Sequence, residues 1–177
     1  MSCLNYALKG IASSCQPGLA GVKEVYLTYA DDISAVTRVD SAHTVTAIVF
    51  NDTAGTFYRY AFANNTASLN SVLTKNDNGG IYYTHTLTMS FNKMTAQKHL
   101  EVEAMAAENL KAIVVDNNDK AWFLSVDKYI TGTATEAGTG QNVDDRNGYD
   151  VTLEGQSAYL PFEYTGDIVA ADYPTEG

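Results

Sequence analysis

From Ile81 to Asn92 the sequence alternates without a break, and no helix or loop tolerates that pattern. Ile81, Tyr83, His85, Leu87, Met89 and Phe91 fall on one side; Tyr82, Thr84, Thr86, Thr88, Ser90 and Asn92 fall on the other. A strict period of two over twelve residues predicts a half-buried β-strand. At about 3.4 Å per residue it would run roughly 40 Å, about twice the usual strand length. It follows Asn76-Asp-Asn-Gly-Gly80, a strong turn signal, and the modest strand pattern Ala67 to Lys75. The expectation is a long hairpin over 67–92 that projects past its own domain and needs a neighbour to cover it. That implies an oligomer.

The second constraint is the switch of period after it. Thr95 to Leu110 is rich in Ala, Glu, Gln, Lys and Met and has no Gly or Pro, so it predicts a helix. Leu100, Ala104, Ala107 and Leu110 give that helix a weakly apolar stripe. Then Ala112 to Val115, Asp116-Asn-Asn-Asp-Lys120 and Ala121 to Val126 read as strand, tight turn, strand. The rest of the chain reads as strands and turns: Lys23 to Ala30, Thr44 to Phe50, Thr56 to Ala63, Lys128 to Thr135, a strand opening at Tyr149, and Ala158 to Tyr164. Asn51-Asp-Thr-Ala-Gly55 suggests a hairpin joining the second and third of these. Pro161 suits an edge. Asp31 to His43 and Glu136 to Arg146 read as loops. The fold class is therefore mainly β, a barrel or sandwich with one flanking α-helix at about 95–110 and the long protruding hairpin. Residues 1–177 form a single domain, with 1–21 an extended N-terminal arm and 165–177 an acidic C-terminal tail expected to fray.

Charge excludes one function class. The chain has 11 Lys and Arg against 21 Asp and Glu, a formal net charge of −10. Gripping nucleic acid requires clustered cations, which such a balance does not supply. Cys3 and Cys15 read as free or buried thiols of a reducing compartment, with a bond between them left open. No apolar run is long enough to span a membrane, and the first residues lack the basic cluster of a signal peptide.

Candidate chemistry is sparse. His99 and Glu103 stand four apart on the predicted helix, but no second His or Cys joins them, and an exposed helix pair is the commoner meaning. His85, on the apolar side of the long strand, reads as a hydrogen-bonded buried or interface histidine. Asp116 to Asp119 superficially suggests a calcium loop, yet the sixth position is Ala121 where Gly is required. Asp144, Asp145 and Asp150 read as solvated acids. There is no nucleophile elbow and no phosphate-cradling loop. Nothing singles out a catalytic group, a cofactor or a metal site.

One stretch does carry a resemblance. Asp144-Asp-Arg-Asn-Gly-Tyr-Asp-Val-Thr-Leu-Glu-Gly-Gln-Ser-Ala-Tyr-Leu-Pro-Phe162 combines an acidic loop, Asn-Gly-Tyr, an alternating strand and Glu-Gly. It resembles the C-terminal part of the tail tube (major tail) proteins of tailed bacteriophages. The helix followed by Ile113-Val-Val-Asp116, a turn and Trp122-Phe-Leu124 is similar to the same family, as is Lys23 to Ala30 as a first body strand. The likeness is greatest to the versions carried by phages and prophages of Bacteroidetes-type hosts.

The resemblance implies a structural virion protein without an active site. Such subunits self-assemble, commonly as hexamers, into rings that stack into a hollow conduit for DNA in the tail. Implied partners are further copies of the chain, a tape measure protein, tail terminator and baseplate proteins, and DNA that passes without specific binding; no membrane is implied. On this reading Thr84, Thr86, Thr88 and Ser90 line the lumen. Ile81, Tyr83, Leu87, Met89 and Phe91 pack on the body or at a subunit interface. A Lys at Thr86 should then hinder DNA passage. A tail terminator or connector ring and a secretion-system tube protein share these features. From a different class, a carbohydrate-binding β-sandwich would use the Tyr-rich strands and Trp122, although Trp122 sits among apolar neighbours that favour packing.

Overall fold

The computed structural model describes residues 8, 10–13, 18–53, 55–62 and 66–171. Cys3, Cys15 and most of the predicted arm, together with the last six residues of the tail, lie outside the described residues. The fold is mainly β, a sandwich of two sheets with a single flanking α-helix.

Among the described residues twelve strands follow in chain order: β1 (Val22–Tyr29), β2 (Ile33–Val39), β3 (Thr44–Phe50), β4 (Phe57–Ala61), β5 (Ala67–Lys75), β6 (Ile81–Asn92), β7 (Leu110–Asp116), β8 (Ala121–Phe123), β9 (Thr131–Gly138), β10 (Gly148–Ser157), β11 (Phe162–Tyr164) and β12 (Ala170–Ala171). Helix α1 spans Ala96–Ala107 between β6 and β7. Eight strands make one sheet, ordered β12-β4-β1-β7-β8-β11-β3-β2; four make the other, ordered β5-β6-β10-β9.

The hairpin β5–β6 occupies the predicted residues 67–92, turning through Asn76–Gly80 with Gly79 at φ 82°. Only a residue without Cβ enters that left-handed region cheaply. Unlike a free ribbon, β6 is paired on both sides. It meets β5 from Ile81 to Met89 and β10 from Tyr83 to Asn92. Only the tip, from Ile81 to Tyr82 and the facing Thr74 and Lys75, reaches beyond β10.

The two sheets enclose the principal core. Val25 and Leu27 of β1, Ala112 and Val114 of β7, Leu87 and Met89 of β6, and Tyr149, Val151 and Leu153 of β10 meet there, with Val102 and Met105 of α1. Each Val, Leu or Met side chain withdrawn from water there contributes about 1.5–3 kcal/mol against the entropy of ordering it. A second core lies on the other face of the eight-stranded sheet, where Val45, Phe57, Ile113, Phe123, Phe162 and Tyr164 cluster. That requires the sheet to curl, and it curls until Phe50 on β3 meets Phe57 on β4, ring centroids 5.4 Å apart.

Three expectations need correction. Thr44–Phe50 and Thr56–Ala63 do not form a hairpin: β3 pairs with β2 and β11, whereas β4 pairs with β1 and β12. The 51–55 turn instead crosses the seam between the sheet's two ends. Asp31 to His43 is not a loop but a short 3-10 turn and the strand β2, exposed along most of its length. The helix buries Val102 and Met105, and Leu100, on the expected stripe, is 70% exposed. Packing explains the choice. Gly132 of β9 lies under α1, where a Cβ would come 2.7 Å from the Ala106 Cα, so the helix seats this other side on the sheet. It begins at Thr95, whose hydroxyl accepts from the Lys98 N–H at 3.3 Å.

The open face of the four-stranded sheet

Cross-strand partners share a face, so the register builds the site directly. Ser68, Asn70, Val72 and Thr74 of β5 lie opposite Thr88, Thr86, Thr84 and Tyr82 of β6. On the other flank Asp150, Thr152, Glu154 and Gln156 of β10 lie opposite Ser90, Thr88, Thr86 and Thr84. The alternation along β10 is strict, with Tyr149, Val151, Leu153 and Gly155 buried and the residues between them half-buried or exposed. The outer face of this sheet is thus a patch of hydroxyls and amides, interrupted by Val72, with carboxylates on one flank. None of the side chains at these positions is Lys or Arg.

Its electrostatics are set by one ion pair. Asp150 faces Glu136 of β9, a like charge directly across. The Arg146 guanidinium and then the Ser90 hydroxyl hold the Asp150 carboxyl below its usual range. The one cation paired to this face is therefore engaged with a carboxylate.

Thr84, Thr86, Thr88 and Ser90 all stand half-buried on this outer face. On the inner face Leu87 and Met89 are fully buried in the principal core, Phe91 packs against it, and Tyr83 is half-buried. Ile81 differs: it does not pack on the body but is 56% exposed at the hairpin tip, with Leu73 of β5 also bare on the inner side. The tip extends past the end of the β6–β10 pairing. Sequence reasoning found the β6 positions and missed those of β5 and β10, because alternation in each strand was readable but the register aligning them was not.

The histidines have structural occupations. His85 is buried; Ser71 Oγ lies 2.8 Å from Nδ1 and the Tyr159 carbonyl 3.1 Å from Nε2. A carbonyl can only accept, so Nε2 carries the proton and Nδ1 accepts from Ser71. Burial pulls the imidazole's pKa down, against the Tyr159 carbonyl, and the ring is neutral. It ties the hairpin to the segment before β11. His99 stands edge-on to Tyr149 at 5.3 Å, and His43 stacks on Phe162 at 3.9 Å. Asp116 organises its turn, accepting at Oδ1 from the Asn118 and Lys120 N–H groups and at Oδ2 from the Trp122 indole. Trp122 is half-buried. Among the described residues no group of three or more His, Cys, Asp or Glu is gathered as a metal would need, and no helix is long and apolar enough to cross a membrane.

Comparison with family models, with curated proteins and with solved structures returns no match.

Proposed function

We propose that this chain is a structural subunit that assembles into rings and, by stacking, into a phage tail tube, with the outer face of β5-β6-β10 lining the channel. The observation that carries this reading is the open patch itself, which holds no Lys or Arg at its β5, β6 and β10 positions and whose neighbouring Arg146 is engaged by Asp150. A conduit for DNA must be wetted yet must not hold a polyanion. Duplex binding draws its strength from counterions released by Lys and Arg. Threonine hydroxyls hydrate the wall, and Glu154 repels phosphate.

The edges support assembly. β5 has nine residues, regular pairing and no charge before Lys75, and β9 carries a single Glu. Such unguarded edges invite another chain. Joined edge to edge, four-stranded sheets would make a closed inner wall with the hydroxyl face inward. In this reading the chain has no active site, its partners are copies of itself and the proteins at either end of the tube, and its place is the virion tail.

Negative-stain electron microscopy of the concentrated, purified chain tests the proposal. Long hollow tubes are the expected result. Isolated closed rings that never stack would replace it with a terminator or connector ring. A monodisperse monomer at every concentration, together with ligands on a glycan array, would overturn it in favour of a sugar-binding sandwich.

A further inference from the structure

A concave site lies where residues of α1 meet residues of β1 and β4, away from the outer face of β5-β6-β10. It is a cleft of about 210 Å³ lined by Leu27, Tyr29, Tyr58, Tyr60, Leu100 and Glu101, with Met105 and Leu110 below. Tyr29 and Tyr58 stand nearly perpendicular, 75° between planes and 6.3 Å between centroids, and so form an aromatic corner. Tyr60 donates its hydroxyl to Oε2 of Glu101 at 2.7 Å, fixing the carboxylate at the mouth. Burial and then Glu101 raise the Tyr60 pKa, and burial and then Tyr58 raise that of Tyr29, so the rings stay neutral. Glu108 and Asp32 add negative potential at Tyr29. Lys98, one turn before Glu101, sends its ammonium to the Asn92 carbonyl.

Ring faces carry negative quadrupole charge, and a cation over them is attracted more strongly as water is removed. A carboxylate held at a cleft walled by tyrosine rings, above an aliphatic floor, selects a positive head on an apolar stem. We propose that this cleft binds an alkylammonium group. An anion would meet Glu101 and the negative faces of the rings. A neutral apolar group would fill the floor and leave the charge of Glu101, which Tyr60 only hydrogen-bonds, without a counterion. Two sources supply the same chemistry: a small free amine or quaternary ammonium compound, and a lysine side chain of a second copy. The site does not depend on the tube reading, since it occupies a different face.

The test uses the full chain and two probes of matched shape, choline and its neutral carbon isostere 3,3-dimethylbutanol, titrated by NMR. Choline is expected to shift the signals of Tyr29, Tyr58, Tyr60 and Glu101 and to bind about tenfold more tightly than the isostere, the range that desolvated cation–π contacts provide. Glu101 is surface-exposed, so Glu101→Gln should melt as the parent does while weakening choline about fivefold and leaving the isostere unchanged. Tyr58→Leu should weaken choline alone in the same way. Sedimentation velocity with saturating choline separates the sources. Dissociation of assembled protein assigns the cleft to a neighbour's lysine, and unchanged assembly with intact binding assigns it to a free cation. Equal affinity for the two probes, shifts confined to other residues, or no binding of either probe would overturn the proposal.

Discussion

Asp127 shows how a single carboxylate can set the acid stability of a fold. Burial pushes its pKa up, but the Ser157 hydroxyl, the Ala158 N–H at 3.1 Å and the nearby Lys111 ammonium outweigh that and hold it below the usual carboxylate range. A depressed folded pKa contributes stability that is complete above the unfolded value and is lost as pH falls through the folded one. Urea unfolding between pH 5 and 2 should therefore show stability falling below about pH 4. Asp127→Asn keeps an acceptor for Ser157 and should flatten that part of the profile. Asp127→Ala strands a buried hydroxyl and should cost about 1–3 kcal/mol at neutral pH. The register also sharpens the test of the channel face. A Lys at Thr86 would face Glu154 directly and be neutralised across the strands, whereas Thr88 lies between Ser68 and Thr152. Assembled Thr88→Lys protein should bind labelled duplex DNA at low salt in fluorescence anisotropy, and Thr86→Lys much less. If Thr88→Lys assemblies take up no more DNA than the parent, this face does not line the channel.

Among the elements, what could be read from sequence was local, and what could not was a matter of partners. The alternation of β6 and β10 and the turn at Asn76–Gly80 are properties of short stretches, and they stand as expected. The 51–55 turn was equally legible, but turn residues reveal only that the chain reverses, not that the flanking strands pair. Here the strand order sets β3 and β4 next to opposite ends of the large sheet, and its curling brings them back together at Phe50 and Phe57. β2 was misread because an exposed strand with Ser34, Thr37 and Arg38 has little apolar alternation to detect. The helix posed a choice between two weak stripes, and the glycine at 132 that decides it lies twenty-five residues after the helix ends. This yields a direct contrast. Met105→Ala, removing a side chain only 3% exposed, should cost roughly 2–4 kcal/mol in chemical denaturation. Leu100→Ala, on the stripe favoured by sequence, should stay within about 0.5 kcal/mol. Equal losses at both positions would mean that the helix does not seat as described.

On the proposed reading, the question for the whole molecule is which sheet edge among the described residues would meet another copy. Among the described residues the eight-stranded sheet ends in β12 and in β2, whose pairing shifts register between Ile33 and Ala35 and again between Thr37 and Arg38. A twice-irregular strand bearing Arg38 carries the devices by which proteins blunt an edge. The four-stranded sheet lacks them at β5, whose nine residues pair with β6 without a shift, and has only one irregularity at β9. Assembly should therefore run through β5 and β9, and hydrogen exchange can detect it without a structure of the assembly. In dilute protein the outward amides of β5 and β9 should exchange as rapidly as those of β2. In assembled protein β5 and β9 should slow together by an order of magnitude or more, while β2 and β12 stay fast. They must slow together, because a head-to-tail ring uses one edge from each of two neighbours and closes only when both are engaged. Protection gained at β2, or at β5 without β9, would require a different contact and would remove the continuous inner wall on which the channel reading stands.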